Sequence, residues 1–126
     1  MTVQEVANRL VELCRADQQD QAVNELYAPD AWSIEPEGGD LPSVQGLDQF
    51  AKKGELFMSQ IEQVNSIEVT DPIIAENFFT IGMSINVDLV NGPKNVQMNE
   101  LCIYEVRDGK IVKEEFRYPT ASTTVA

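Results

Sequence analysis

Residues 99–119, NELCIYEVRDGKIVKEEFRYP, decide how the chain is read. Apolar residues alternate with polar ones on both sides of Arg107-Asp108-Gly109, which predicts two strands, 95–106 and 110–118, around a tight turn. The even positions of the first strand carry Val96, Met98, Cys102, Tyr104 and Val106, and those of the second carry Val112, Phe116 and Tyr118. A two-residue Asp108-Gly109 loop sets even against odd. A three-residue loop with left-handed Gly109 in a bulge pairs Val106 with Lys110 and brings the two apolar sets to one face. The second register is expected, because a one-residue slip exposes an apolar set to water. It sets Cys102 opposite Glu114 and Glu100 opposite Phe116, and makes the two glutamates diagonal neighbours on the apolar face. Leu101, Ile103, Ile111, Lys113 and Glu115 then form the outer face.

Working outward, the strands continue upstream. Residues 63–70 form one strand, broken by Asp71-Pro72, and residues 73–90 form a long one. There Phe79, Ile81, Met83, Ile85, Val87 and Leu89 alternate with polar or small residues, so one face is buried. Asn91-Gly92-Pro93 is a turn. The first half is helical. Thr2 and Glu5 make a capping box for a helix over 3–16, and Val3, Val6, Ala7, Leu10, Val11 and Cys14 share its apolar face. Asp20 caps a short second helix that Pro29 ends, DAWSIE is a strand, and residues 46–61 form a third helix with Leu47, Phe50, Phe57 and Ile61 inward. Helices first and strands after predict an α+β domain: a cone-shaped roll, three N-terminal helices packed on a strongly curved antiparallel sheet. The domain covers residues 1–119, with 120–126 a flexible tail.

A chain of 126 residues and net charge −12 has room for one core and no basic surface for nucleic acid or anionic membranes. No segment reads as a signal peptide or a membrane span, and Cys14 and Cys102 fall at core positions, so a cytoplasmic protein with reduced thiols is expected. Histidine is absent, which removes Ser-His-Asp and Cys-His catalysis and argues against a zinc or redox-metal site. No cofactor is expected.

Inward acids are costly unless paired or used. Glu100 at a rim, Glu114 hydrated or paired with a lysine or arginine, and Glu35 as a strand-end residue near solvent are one reading. The other is a pocket beneath the helices with Glu35 as general base and Glu114 or Glu100 as a neutral acid, since neighbouring carboxyls in an apolar pocket hold a proton. Trp32, Ile81, Met83, Ile85, Cys102, Tyr104, Phe116 and Tyr118 are the expected pocket wall, suited to a small apolar or neutral ligand. Leu101, Ile103 and Ile111 on the outer face predict a homodimer.

NELYAPDAWSIEP, VQGLDQF and YEVRDGKIVKEEF together give the chain a resemblance to the nuclear transport factor two-like superfamily, and within it to SnoaL-like and ketosteroid-isomerase-like proteins. The resemblance covers residues 3–118. It implies a hollow cone, dimers through the outer sheet face, and functions ranging from isomerases, cyclases and dehydratases to non-catalytic modules. It sets Glu35, just before Pro36, where the isomerases carry their catalytic aspartate. It sets Leu10 and Cys102 where they carry oxyanion donors, and neither side chain is a strong donor, which argues against steroid isomerisation by that route. A cofactor-free isomerase, cyclase or dehydratase that moves protons with pocket carboxylates is thus one expectation. A binding or dimerisation module with the same cone is the other.

Overall fold

The computed structural model describes residues 1–120; of the expected tail, residues 121–126 lie outside the described residues. Helix α1 (Val3–Arg15) begins at the capping box, with the Thr2 hydroxyl accepting from Glu5 N–H and the Glu5 carboxylate accepting from Thr2 N–H. It ends with Asp17 in the left-handed region, φ 56°, where the N–H groups of Asp17 and Gln18 reach back to the Cys14 and Leu13 carbonyls. Helix α2 (Gln19–Leu26) has no side-chain cap; Asp20 stands in its first turn instead, near the positive end of the helix dipole.

Strand β1 (Tyr27–Ile34) follows at once, three residues earlier than expected, so Pro29 lies inside a strand rather than ending a helix. The ladder to the last strand breaks between Tyr27 and Trp32, where a residue without an N–H costs no hydrogen bond. The two-residue β2 (Val44–Gln45) leads to α3 (Leu47–Met58). Gly46 opens that helix at φ 92°, a conformation glycine adopts without penalty. The helix is shorter than expected, and Ile61 belongs to β3 (Ile61–Val69). The single long strand expected over 73–90 is two: β4 (Ile73–Ala75) and β5 (Phe78–Leu89), folded back on each other through Glu76 at φ 56°. Strands β6 (Val96–Arg107) and β7 (Lys110–Arg117) close the chain.

The seven strands form one sheet in the order β2-β1-β7-β6-β5-β3, with β4 on β5. Pairing is antiparallel except between β1 and β7, which run parallel. The helices cover one face. Val6, Leu10, Leu26, Phe79, Ile81, Val87, Cys102 and Ile111 are almost wholly buried there. Each large apolar side chain so removed from water contributes about 1.5–3 kcal/mol. Phe79 stacks on Tyr104 across β5 and β6 with ring centroids 4.7 Å apart.

The last hairpin corrects the expected register. Val106 pairs with Ile111 and Arg107 with Lys110, so the turn is the two-residue loop, with Asp108 at φ 50° and Gly109 at φ 76°. The conflict of faces is solved one step later: Glu105 pairs with Lys113, which leaves Val112 as an extra residue in a bulge of β7. The bulge resets the alternation, so Ile111 and Glu114 both point inward although three positions separate them. Ile111 is therefore core and not outer surface. Glu114 lies opposite Tyr104, and Cys102 opposite Phe116, in place of the expected Cys102–Glu114 and Glu100–Phe116 pairs. Glu100 and Glu114 are not diagonal neighbours.

Candidate active site

Two bends bring the site together. The β7 bulge turns Glu114 inward, and the parallel β1 strand sets Ser33 directly beside it. Glu114 is 8% exposed and is satisfied by two hydroxyls: the Tyr27 hydroxyl donates to Oε1 and the Ser33 hydroxyl to Oε2, the latter at 2.6 Å. Burial pushes its carboxyl above the ordinary range, opposed by those two hydrogen bonds and by Lys53. The hydrogen bond to Glu114, after burial and its charge, also raises the Tyr27 phenol.

Lys53 comes from α3. Its ammonium donates to Ser33 Oγ at 2.7 Å, pairs with Glu35 Oε2 at 2.6 Å and stands 5.2 Å from the centre of the Phe116 ring. Glu35 follows the end of β1 and is 8% exposed. Its other oxygen accepts from the Tyr118 hydroxyl at 2.5 Å, and its backbone N–H donates to Ser43 Oγ at 2.8 Å. Burial and the bond to Glu35 push the Tyr118 phenol up. One continuous network thus runs Tyr27–Glu114–Ser33–Lys53–Glu35–Tyr118, and among the described residues no buried side-chain nitrogen or oxygen is left without a partner.

Glu100 differs. It points inward from β6, half-buried, and its hydrogen-bonding contact is the Cys102 thiol at 3.7 Å, a weak donor. Burial first, then the charge of Glu35, pushes its carboxyl up to about 7. On the same face Ile67, Ile85 and Phe116 are only partly buried, so the helices leave this end of the inner face incompletely covered. Among the described residues no group of three or more His, Cys, Asp or Glu is placed to hold a metal ion.

The three acids picked out in the sequence therefore meet. Glu35 and Glu114 share one network through Lys53 and Ser33, and Glu100 lies within electrostatic reach of both. Of the expected wall, Ile85, Phe116 and Tyr118 border the open end. Ile81, Met83, Cys102 and Tyr104 are core, at most 9% exposed. Trp32 is the correction: Ala31 and Ser33 point inward, so Trp32 between them points out and is 44% exposed. Lys53 and Ser33 are the functional residues that the sequence reading does not reach. Lys53 follows Phe50 by three residues on the inner stripe of α3, and a cation at that spacing among inward acids was the available signal. An open groove of about 560 Å³ runs along β3, β5, β6 and the end of β7, lined by Glu68, Thr70, Gly82, Ser84, Leu101 and Arg117 and also by Met83, Glu100 and Tyr118, with no helical residue among them.

A SnoaL-like domain model matches residues 1–118. Solved structures agree over most of the chain. A protein named as a SnoaL-like polyketide cyclase from Mesorhizobium loti is 25% identical, with TM-score 0.86 over 94% of this chain and 100% of its own. A protein with a ketosteroid isomerase-like fold from Catenulispora acidiphila, in complex with trimethylamine, is 17% identical, with TM-score 0.73 over 97% and 90%. IdmH from Streptomyces antibioticus, named as a polyketide cyclase, is 18% identical, with TM-score 0.69 over 93% and 91%. No curated protein matches the chain.

Proposed function

We propose that this chain, which belongs to the SnoaL-like domain family, binds a small neutral molecule with an apolar body at the open end of its inner face and moves a proton on it without a cofactor. The observation that carries this reading is Glu100: an inward, half-buried carboxyl that joins no ion pair among the described residues, with a pKa of about 7. Such a group donates and accepts protons at neutral pH without histidine. Ile85 and Phe116 supply an apolar wall. The names of the relatives from Mesorhizobium loti and Streptomyces antibioticus support a carbonyl substrate, since ring closure by a polyketide cyclase needs a proton removed beside a carbonyl. Cyclisation, isomerisation and dehydration share that step.

The test is deuterium exchange into cyclic 1,3-diketones and related β-keto esters, followed by NMR. Wild-type protein should accelerate exchange, and Glu100→Gln should lose roughly 100-fold or more of it. Exchange at the buffer rate with wild-type protein would overturn the reading.

The second reading, a non-catalytic binding or dimerisation module, is favoured by the completeness of the Tyr27-to-Tyr118 network, which leaves Glu35 and Glu114 already satisfied. Both readings include a homodimer through the outer sheet face, supported by Leu101 and Ile103, 57% and 39% exposed on that side.

A further inference from the structure

Four amide side chains on β3, β5 and β6 are turned one way, and an acid sets the direction. Asp88 accepts from the Asn95 N–H at 2.8 Å and from Asn65 Nδ2 at 2.9 Å, and these bonds hold its carboxyl below the ordinary range. A carboxylate only accepts. Asn65, the extra residue of a bulge in β3, therefore faces it with its NH2 group. The same NH2 group donates to Asn86 Oδ1 at 2.9 Å. Asn86 Nδ2 then donates to Gln97 Oε1, and Gln97 Nε2 to Asn99 Oδ1, each at 3.2 Å. Each amide fixes the orientation of the next. Asn99 ends the relay with its oxygen taken and its NH2 group without a partner among the described residues.

Asn99 lines the groove of about 560 Å³. Glu68 pairs with Ser84 and Ser84 with Asn99, so the three side chains form one row on one face of the sheet. Neighbours in the row stand about 5 Å apart. Beside it, Gly82 hollows the floor: a Cβ there would come 3.2 Å from the Thr70 methyl. We infer that this groove is a second binding site, for a neutral polyhydroxylated molecule the size of a sugar ring, in which the amide relay holds Asn99 as a donor. The row offers acceptors at Glu68, a hydroxyl at Ser84 and a donor at Asn99. A ligand hydroxyl both donates and accepts, so a polyol answers all three. An anion is not attracted: the chain has net charge −12, and the cation at the groove, Arg117, is bonded to Glu115 through Nε and Nη2. The hollow at Gly82 leaves room for the ring, and the exposed Leu101 offers an apolar contact to its C–H face. Leu101 is shared with the face proposed for the dimer, but the relay lies on the side of it away from Ile103. The proposed proton transfer at Glu100 is not needed for this site.

The experiment follows the side-chain NH2 resonances of Asn99 by nitrogen-15 NMR in the whole protein, titrated with the methyl glycosides of glucose, galactose and mannose at millimolar concentrations. At least one glycoside should shift them saturably, and Asn99→Leu should abolish its binding. Gln97→Glu is the decisive variant, because residue 97 does not line the groove. A carboxylate there still accepts from Asn86 but has nothing to donate, so Asn99 turns its NH2 group toward it and shows the groove its oxygen. Binding should weaken roughly tenfold. Wild-type affinity in Gln97→Glu overturns the relay. No saturable shift with any of these glycosides, or one that spares Asn99, overturns the site. Loss of substrate proton exchange in wild-type protein would defeat the proposed function and leave this binding in place.

Discussion

Lys53 Nζ and Glu35 Oε2 stand 2.6 Å apart with 9% and 3% of their side chains exposed, joining the middle of α3 to the residue that follows β1. The same ammonium reaches Ser33, and through Ser33 the carboxyl of Glu114 on β7. The pair ties helix to sheet where the buried face of α3 is otherwise thin: Phe50 is its one fully buried residue.

Breaking the pair from one side should be expensive. Lys53→Met leaves Glu35 buried beside an apolar side chain and is expected to cost about 3–5 kcal/mol in urea denaturation at pH 7. The double variant Lys53→Met, Glu35→Gln should recover much of that loss, because no uncompensated charge remains. A double variant as unstable as the sum of the singles would deny the coupling.

Glu114→Gln should gain on wild type as pH rises. The folded carboxyl is raised above its unfolded value, so the stability tied to its proton is present below about 4.5 and falls as pH climbs through the folded pKa. A glutamine does not ionise and escapes the loss, while its amide still has Tyr27 and Ser33 to bond. Thermal melts at pH 5 and pH 8 check this. The lysine reached through Ser33 changes the expectation at low pH, where the variant should melt no higher than wild type.

Glu100→Gln follows the same sign over a defined window. The folded carboxyl titrates near 7 against an ordinary 4.5, so the wild type loses stability relative to the variant between those values. The full difference approaches about 3 kcal/mol above pH 8, at 1.36 kcal/mol per unit. Chemical denaturation of both proteins at pH 5 and pH 8 reads it; a difference independent of pH would show that Glu100 titrates normally.

Gly109→Ala should cost about 1–2 kcal/mol. The φ of 76° is unfavourable for a residue with a Cβ, and that Cβ would stand 3.0 Å from the Met1 nitrogen and 3.1 Å from its carbonyl oxygen. The Glu100 midpoint should not move, because the turn lies at the far end of β6 from the site.

Sedimentation of wild-type protein should give about twice the chain mass of 14.1 kDa. Leu101→Glu with Ile103→Glu adds charge to the exposed outer face and should give the single-chain mass. Wild type sedimenting as a single chain would remove the dimer.

Much of the cone was written in local pattern. The capping box of Thr2 and Glu5, the apolar stripe of α1, the alternation from Phe79 to Val87 and the break at Asp71-Pro72 each depend on residues a few positions apart, and the sequence alone determined them. It also determined that acids would face inward, because Glu100 and Glu114 alternate with apolar neighbours. Only the tertiary structure decided how the faces meet. A two-residue turn followed by a bulge at Val112 and a three-residue loop with its bulge at Gly109 both bring apolar sides together, and the choice turns on contacts of Ile111 with the distant core. Pairing across the sheet decided that β1 runs parallel to β7 and sets Ser33 beside Glu114, eighty-one residues apart in the chain. The docking of α3 decided that Lys53 enters among the acids. Charge pairing is a property of distance, and a helix brought to a sheet by its own apolar stripe carries no local sign of which carboxylate it will find.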